Sequence, residues 1–250
     1  MNAPVKKEVA LFVTCLVDNL RPDIGFDIAK VIEQSGFSVV VPVAQTCCGQ
    51  PNFNGGDRAN AKKTAMAMID IFLRFDYTVI PSGSCGGMIK QHYVDLFDDD
   101  PIYKEKAALF ADKVFELSQF LTDIANFKAD SKIEKRLEKK VTYHDACAGL
   151  RELGVKNQPR NLLSQFGVEI VEMEEPEVCC GFGGAFCVKY PEISNEMVEK
   201  KVRDAKNTGA EALVTGDLGC LMNMEGKIKR LELDLPVYHF VEILAKPDVL

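Results

Sequence analysis

No apolar run in this 250-residue chain approaches the ~20 residues that a membrane-spanning helix needs. A membrane span is therefore not expected. Basic residues are outnumbered, 30 Lys and Arg against 37 Asp and Glu, and the net charge is −7 with the cations scattered. That distribution argues against nucleic acid, whose phosphates call for a basic stripe. No G-x-G-x-x-G follows a strand-like segment, so no dinucleotide or flavin site is indicated. A ferredoxin-type C-x2-C-x2-C run is also missing. The residues from Met1 to Glu8 lead into a strand-like segment without the apolar stretch of a signal peptide. A cytoplasmic protein with reduced thiols is the expectation.

What the chain does have is cysteine, in a register that chance does not produce. Cys15 is followed after 31 residues by Cys47-Cys48-Gly49, and after 35 more by Cys85. Cys147 is followed after 31 residues by Cys179-Cys180-Gly181, and after 38 more by Cys220. The first three positions of each set are offset by 132 residues and the fourth by 135. The repeat covers eight of the nine cysteines and implies a duplicated unit. Four thiols in a fixed frame are what a metal or iron–sulfur centre needs.

The elements between the cysteines alternate. Val9–Val13, Phe37–Val41 and Tyr77–Ile80 read as buried strands in the first half. Pro22 opens a helix with Ile24, Ile28, Val31 and Ile32 on one face and Gly36 beyond its end. Asp57 caps a helix with an inward stripe of Ala61, Ala65, Met68, Ile69 and Phe72, and Asp100-Pro101 starts another. In the second half, Val141–Tyr143, Val168–Val171 and Ala212–Val214 are the strands. Helices lie around Pro159–Phe166 and Pro191–Asn207, the latter with Ile193, Met197, Val198, Val202 and Ala205 inward. The densely charged residues 128–140 read as a linker. The expected fold class is α/β, with two pseudo-symmetric repeats (1–127 and 141–250), each a small, mostly parallel sheet flanked by helices. Ligands of such sheets sit beyond the carboxyl ends of the strands. Every cysteine of the repeat follows a strand, so each quartet should converge on one sheet edge.

The adjacent cysteines narrow the chemistry. A vicinal disulfide is poorly compatible with a trans peptide. Structural zinc sites usually space their cysteines by two to four residues. Neighbours on one centre need a turn, or a centre large enough to be met from two directions, and a multi-iron cluster meets that condition better than one zinc ion. Gly49 and Gly181 permit such a turn and a close backbone approach. Gly83, Gly86, Gly87, Gly183 and Gly184 add bare backbone whose amides can face sulfur.

These residues resemble a known family. The doubled Cys…Cys-Cys-Gly…Cys pattern is similar to the CCG cysteine-rich domain found in heterodisulfide reductase and in the iron–sulfur component of glycolate oxidase. The nearest resemblance is to the lactate utilization protein A family, carried by Leu11-Phe12-Val13-Thr14-Cys15-Leu16-Val17-Asp18, Pro81-Ser82-Gly83-Ser84-Cys85-Gly86-Gly87-Met88, Tyr143-His144-Asp145-Ala146-Cys147 and Cys179-Cys180-Gly181-Phe182-Gly183-Gly184. The resemblance implies metal ligation by Cys15, Cys47, Cys48 and Cys85, and by Cys147, Cys179, Cys180 and Cys220. It implies iron–sulfur clusters, [4Fe–4S] being the expected type, one or two per chain. It also implies electron transfer in a multi-protein complex oxidising L-lactate to pyruvate, with a ferredoxin-type iron–sulfur protein among the partners. The fullest CCG pattern ends each half with Cys-x-x-Cys; here Met88 and Asn223 stand at the last position. That departure weighs against the enlarged cluster and disulfide chemistry of heterodisulfide reductase. A thiol–disulfide reductase and a structural zinc module remain as alternatives. No general acid–base pair is identifiable, and an enzyme that removes two electrons and passes them on singly needs more than isolated clusters, so one component of an assembly is expected rather than a complete enzyme.

Other candidates have plain structural readings. Cys187 has no counterpart in the first half and reads as a small core residue. His144 either hydrogen-bonds a thiolate or shuttles a proton, or is a satisfied structural histidine; His92 and His239 read as structural. Asp18 and Asp145 read as turn formers, Met66 and Met68 as packing, and Asp98–Asp100 as a solvated helix entry.

Overall fold

The structure, a computed structural model, describes residues 6–129 and 137–250. The chain forms two compact units. One comprises the residues up to Pro81 together with Cys85–Phe127, and the other comprises Ser82–Ser84 with Lys128–Leu250. The grouping of Ser82–Ser84 with the second unit is not something the cysteine repeat anticipates. Of the charged stretch 128–140, residues 130–136 lie outside the described residues.

The first unit carries strands β1 (Glu8–Leu11), β2 (Ser38–Val40), β3 (Thr78–Ile80) and β4 (Val114–Glu116) in the order β2-β1-β3-β4. All neighbouring pairs are parallel. The second carries β5 (Lys140–His144), β6 (Glu169–Ile170), β7 (Ala212–Thr215) and β8 (Val237–His239) in the order β6-β5-β7-β8, again parallel throughout. The two sheets thus have the same topology, as a duplicated unit requires. Central strands are buried on both faces, which is why they read as unbroken apolar runs: Val9, Ala10 and Leu11 are all buried, as are Leu213 and Val214.

Helical periodicity places most of the core. Ile24, Ile28, Val31 and Ile32 of Pro22–Gln34 are buried, and so are Ala61, Ala65, Met68, Ile69 and Phe72 of Arg58–Phe72. Asp57 accepts from the Asn60 amide at 3.1 Å and Asp100 from the Tyr103 amide at 3.2 Å, so both caps are made. Gly36, at φ +91°, ends the first of these helices in the left-handed region. The helix Pro191–Asn207 differs from expectation at its start: Ile193 is exposed, and Ser194 is buried in its place. Ser194 Oγ donates to the Gly181 carbonyl at 2.8 Å, so this helix is rotated to serve the Cys-Cys-Gly loop. Strands β4 and β8, three residues each, add to the strands expected from the sequence.

The order of each sheet has a consequence for the site. In the first, the chain reverses direction of travel between β1 and β3, and Cys15 and Cys85 follow the carboxyl ends of those two strands. In the second, β5 and β7 hold the same places ahead of Cys147 and Cys220.

Candidate metal centres

Cys15 opens the helix Cys15–Leu20, and Cys85 lies in the short helix Gly83–Gly87. Cys47-Cys48 occupies the loop after β2, turned by Gly49 at φ +84°. Side-chain contacts run from Cys15 to Cys47, from Cys47 to Cys48 and from Cys48 to Cys85, so the four sulfurs form one continuous group. The Gly49 amide donates to Cys47 Sγ at 3.4 Å. Hydrogen bonds from Cys15 and Cys48, with the amides of Gly49 and Cys48, bring the Cys47 thiol down to about 2. The Cys15 thiol is pushed up by its contact with Cys47 and by burial, and Cys48 by Cys47, Cys85 and burial.

The flanks hold this geometry. Gln45 accepts from the Val13 amide at 2.9 Å and donates to the Leu11 carbonyl at 3.3 Å, tying the end of β1 to the Cys-Cys loop. Thr14, one residue before Cys15, has φ +72° and ψ 145°, a strained conformation for a β-branched residue. A cleft of about 480 Å³ opens beside Cys15 and Cys47, between Thr14 and Asp18 on one side and Val41, Val43 and Gln45 on the other.

The second quartet repeats the arrangement. Cys147 opens the helix Cys147–Leu153, and Cys220 lies in the first turn of Leu218–Arg230. Contacts run from Cys147 to Cys179, to Cys180 and to Cys220. Gly181, at φ +81°, donates its amide to Cys179 Sγ at 3.3 Å. Hydrogen bonds from Cys147 and Cys180 bring Cys179 down to about 2, while Cys147 and Cys180 are raised by the bonds they give and by burial. At Cys220 the bond with Cys180 lowers the thiol, but burial and the negative charges of Asp217 and Cys179 together outweigh it and the net direction is up.

None of the nine cysteines is in a disulfide. Two groups of four thiols, each with a bare-backbone amide on one sulfur, fit a metal ion or an iron–sulfur cofactor. The CCG cysteine-rich domain model matches residues 9–90 and 141–225, the two stretches that hold the quartets. The chain belongs to the CCG cysteine-rich domain family. Within it, lactate utilization protein A of Oceanobacillus iheyensis is 43% identical over 238 residues, covering 95% of this chain and 96% of that one. Lactate utilization protein A 2 of Bacillus cereus strain AH820 is 41% identical over 240 residues, covering 96% and 98%. The chain therefore also belongs to the lactate utilization protein A family. A solved hypothetical protein from Helicobacter pylori shares the fold at a TM-score of 0.66 and 12% identity, over 97% of this chain and 49% of that one.

At the two positions where the fullest CCG pattern has a further cysteine, the side chains are otherwise engaged. Met88 is fully buried in the core of the first unit. Asn223 Nδ2 donates to the Cys180 carbonyl at 2.9 Å. In the first CCG unit the Cys48 carbonyl is met instead by Tyr93 Oη at 2.8 Å. Tyr93 follows a π-helical turn, Met88–His92, which displaces it from the register of the preceding helix.

Asp145 differs from its reading as a turn former. It is buried and pairs bidentately with Arg160 at 2.8 and 3.0 Å, and Arg160 also bonds Glu172 at 2.7 and 3.0 Å. Burial alone would lower the Arg160 pKa, but these two carboxylates raise it. The guanidinium lies 5.0 Å from the Tyr143 ring centroid, so the residues ahead of Cys147 are clamped on two sides. The loop ahead of Cys179 is held in turn by Asp204, which accepts from the amides of Glu174 and Glu175 at 3.0 Å, and by Lys201, which bonds the Glu175 carbonyl. Asp217 caps the helix of Cys220, accepting from Gly219 at 3.0 Å, and its other oxygen accepts from Ser82 Oγ at 2.7 Å and Ser84 Oγ at 2.9 Å. No local sequence signal marks Gln45, Tyr93, Arg160 or Ser194 for these tasks, because each acts on a residue at least 13 positions away.

His239 is structural, its Nδ1 accepting from the Val241 amide at 3.3 Å in a reciprocal cap with Glu242. His92 stacks on Phe53 with ring centroids 4.8 Å apart. Cys187 donates to the Gly184 carbonyl at 3.1 Å. Asp18 lies on the exposed first turn of the Cys15 helix. His144 behaves differently from all of these. It is completely buried, and neither ring nitrogen has a hydrogen-bond partner. Burial, with help from Lys201, holds its pKa down at about 4, against the pull of Cys179 and Asp217 and of a marginal approach to the Pro176 carbonyl that falls short of a made hydrogen bond. The expectation of a satisfied structural histidine does not describe it.

Among the described residues, no helix is long and apolar enough to cross a membrane.

Proposed function

We propose that the chain is the iron–sulfur electron-transfer component of a multi-protein system that oxidises L-lactate to pyruvate. Cys15, Cys47, Cys48 and Cys85 hold one cluster, and Cys147, Cys179, Cys180 and Cys220 hold the other, each of the [4Fe–4S] type. The observation that carries the cluster half of this reading is the convergence of each quartet into one contiguous group of sulfurs. When bound, a cluster accepts and releases one electron at a time; the protein supplies the thiolates and the Gly49 and Gly181 amides that offset negative charge on sulfur. The lactate half rests on the relatives named lactate utilization protein A. Two-electron oxidation of lactate needs a further cofactor-bearing partner, and a ferredoxin-type protein would carry electrons onward. The cleft beside Cys15 and Cys47 gives such a partner or a small donor an approach to the first cluster.

The engagement of Met88 and Asn223 elsewhere supports this reading over a heterodisulfide-type reductase. Anaerobic purification with iron and acid-labile sulfide counts tests the clusters. Stoichiometric zinc with no redox spectrum would replace them by a structural zinc module. Deleting the gene tests the lactate half. Undiminished growth on lactate as sole carbon source, with no redundant lactate oxidase, would remove it.

A further inference from the structure

The repeat sets His144 against Phe12, 132 positions earlier. In the first unit that position is plain core: Phe12 is fully buried and its ring lies 5.3 Å from that of Phe72. The second unit puts an imidazole in the same place with both nitrogens unpartnered. An unsatisfied buried polar group is destabilising, whereas phenylalanine there incurs no such penalty. A group that satisfies a nitrogen of His144 must therefore come from what surrounds it. A ring nitrogen of His144 and the sulfurs of Cys180 and Cys220 all lie within 4.8 Å of one another, and all three residues are buried. The thiols themselves do not hydrogen-bond the ring. A metal held by those two sulfurs would meet it. Thiolate sulfur and imidazole nitrogen are donors that zinc and iron–sulfur centres both accept.

We propose that His144 supplies a nitrogen ligand to the second centre, beside the sulfurs of Cys180 and Cys220, so that this centre is of mixed sulfur and nitrogen ligation while the first is all sulfur. The inference rests on the iron–sulfur reading above. It makes the two halves chemically unequal although their sheets and thiols repeat.

The test uses the full chain, prepared anaerobically with ¹⁵N-labelled histidine, reduced, and measured by electron–nuclear hyperfine spectroscopy with iron quantified. The expected result is the strong coupling of one directly bonded histidine nitrogen. It should vanish in His144→Phe and persist in His92→Gln, with the other centre's signal unchanged in both. If His144→Phe fails to fold, the labelled native protein decides alone. Iron present with only the weak coupling of a hydrogen-bonded or distant nitrogen overturns the inference and leaves the iron–sulfur reading standing. Absence of iron overturns both.

Discussion

The side-chain amide of Asn223 holds the backbone carbonyl of Cys180 at 2.9 Å, and this bond shapes the vicinal cysteine turn of the second unit. In the first unit Tyr93 does the same for Cys48 at 2.8 Å. Unlike residues from different helical registers have taken one task, because an adjacent cysteine pair can face one centre only if the peptide after it is anchored. Asn223→Ala and Tyr93→Phe each orphan a buried carbonyl and should cost about 1–3 kcal/mol. Each should also lower metal retention in its own unit only. Chemical unfolding with metal analysis measures both, and equal loss from the two centres would refute the assignment.

The glycines of the two turns should not be equally sensitive. A Cβ on Gly49, at φ +84°, meets nothing closer than 3.5 Å, so Gly49→Ala carries mainly backbone strain, about 1 kcal/mol. On Gly181, at φ +81°, a Cβ would come within 2.8 Å of the Ser194 carbonyl and 2.9 Å of Met197 Cβ. Gly181→Ala adds a collision with backbone to that strain and should cost about 2–4 kcal/mol. Comparing midpoints of the two variants checks the order.

Arg160→Leu leaves Asp145 buried and unpaired beside Cys147. Removing one member of such a pair typically costs about 3–5 kcal/mol. Asp145→Asn combined with Arg160→Leu should be milder than Arg160→Leu alone, since the stranded charge is then gone. A double-mutant cycle by denaturant unfolding reads this directly.

Metal loading should strengthen with rising pH. Cys47 and Cys179 are brought down to about 2 and need no deprotonation near neutrality. Cys15 and Cys48, and in the second unit Cys147, Cys180 and Cys220, are raised above the usual thiol value and hold protons that a metal must displace. Each displaced proton makes affinity rise about tenfold per pH unit until the thiol ionises on its own. Titrating the metal-free protein with zinc ions at several pH values, with proton release followed in weak buffer, should show that slope. A pH-independent affinity would contradict it.

Thr14→Gly should be neutral or stabilising by up to about 1 kcal/mol, because glycine tolerates φ +72° where threonine is strained. Thermal unfolding of the variant checks it. A large loss of stability would mean that the threonine side chain makes a contact worth more than the strain.

Helices with long apolar stripes are legible in the sequence: Pro22–Gln34 and Arg58–Phe72 bury the residues their periodicity selects. Ile193 departs from its period for a physical reason. A helix rotates toward whatever its edge must serve, and Ser194 serves the Gly181 carbonyl. Asp145 reads as a turn aspartate because its partner, Arg160, lies 15 residues on, beyond the helix Cys147–Leu153 and in the helix that follows it.

The repeat of the thiols is written in the chain itself, because a duplicated frame preserves spacing, and strand-then-cysteine order already points each quartet to one sheet edge. Which side chains anchor the Cys-Cys turns, and that His144 stands unpartnered beside Cys180 and Cys220, were decided only by tertiary packing. Those contacts join elements far apart along the chain, and their energetics depend on burial and direction, neither of which spacing encodes.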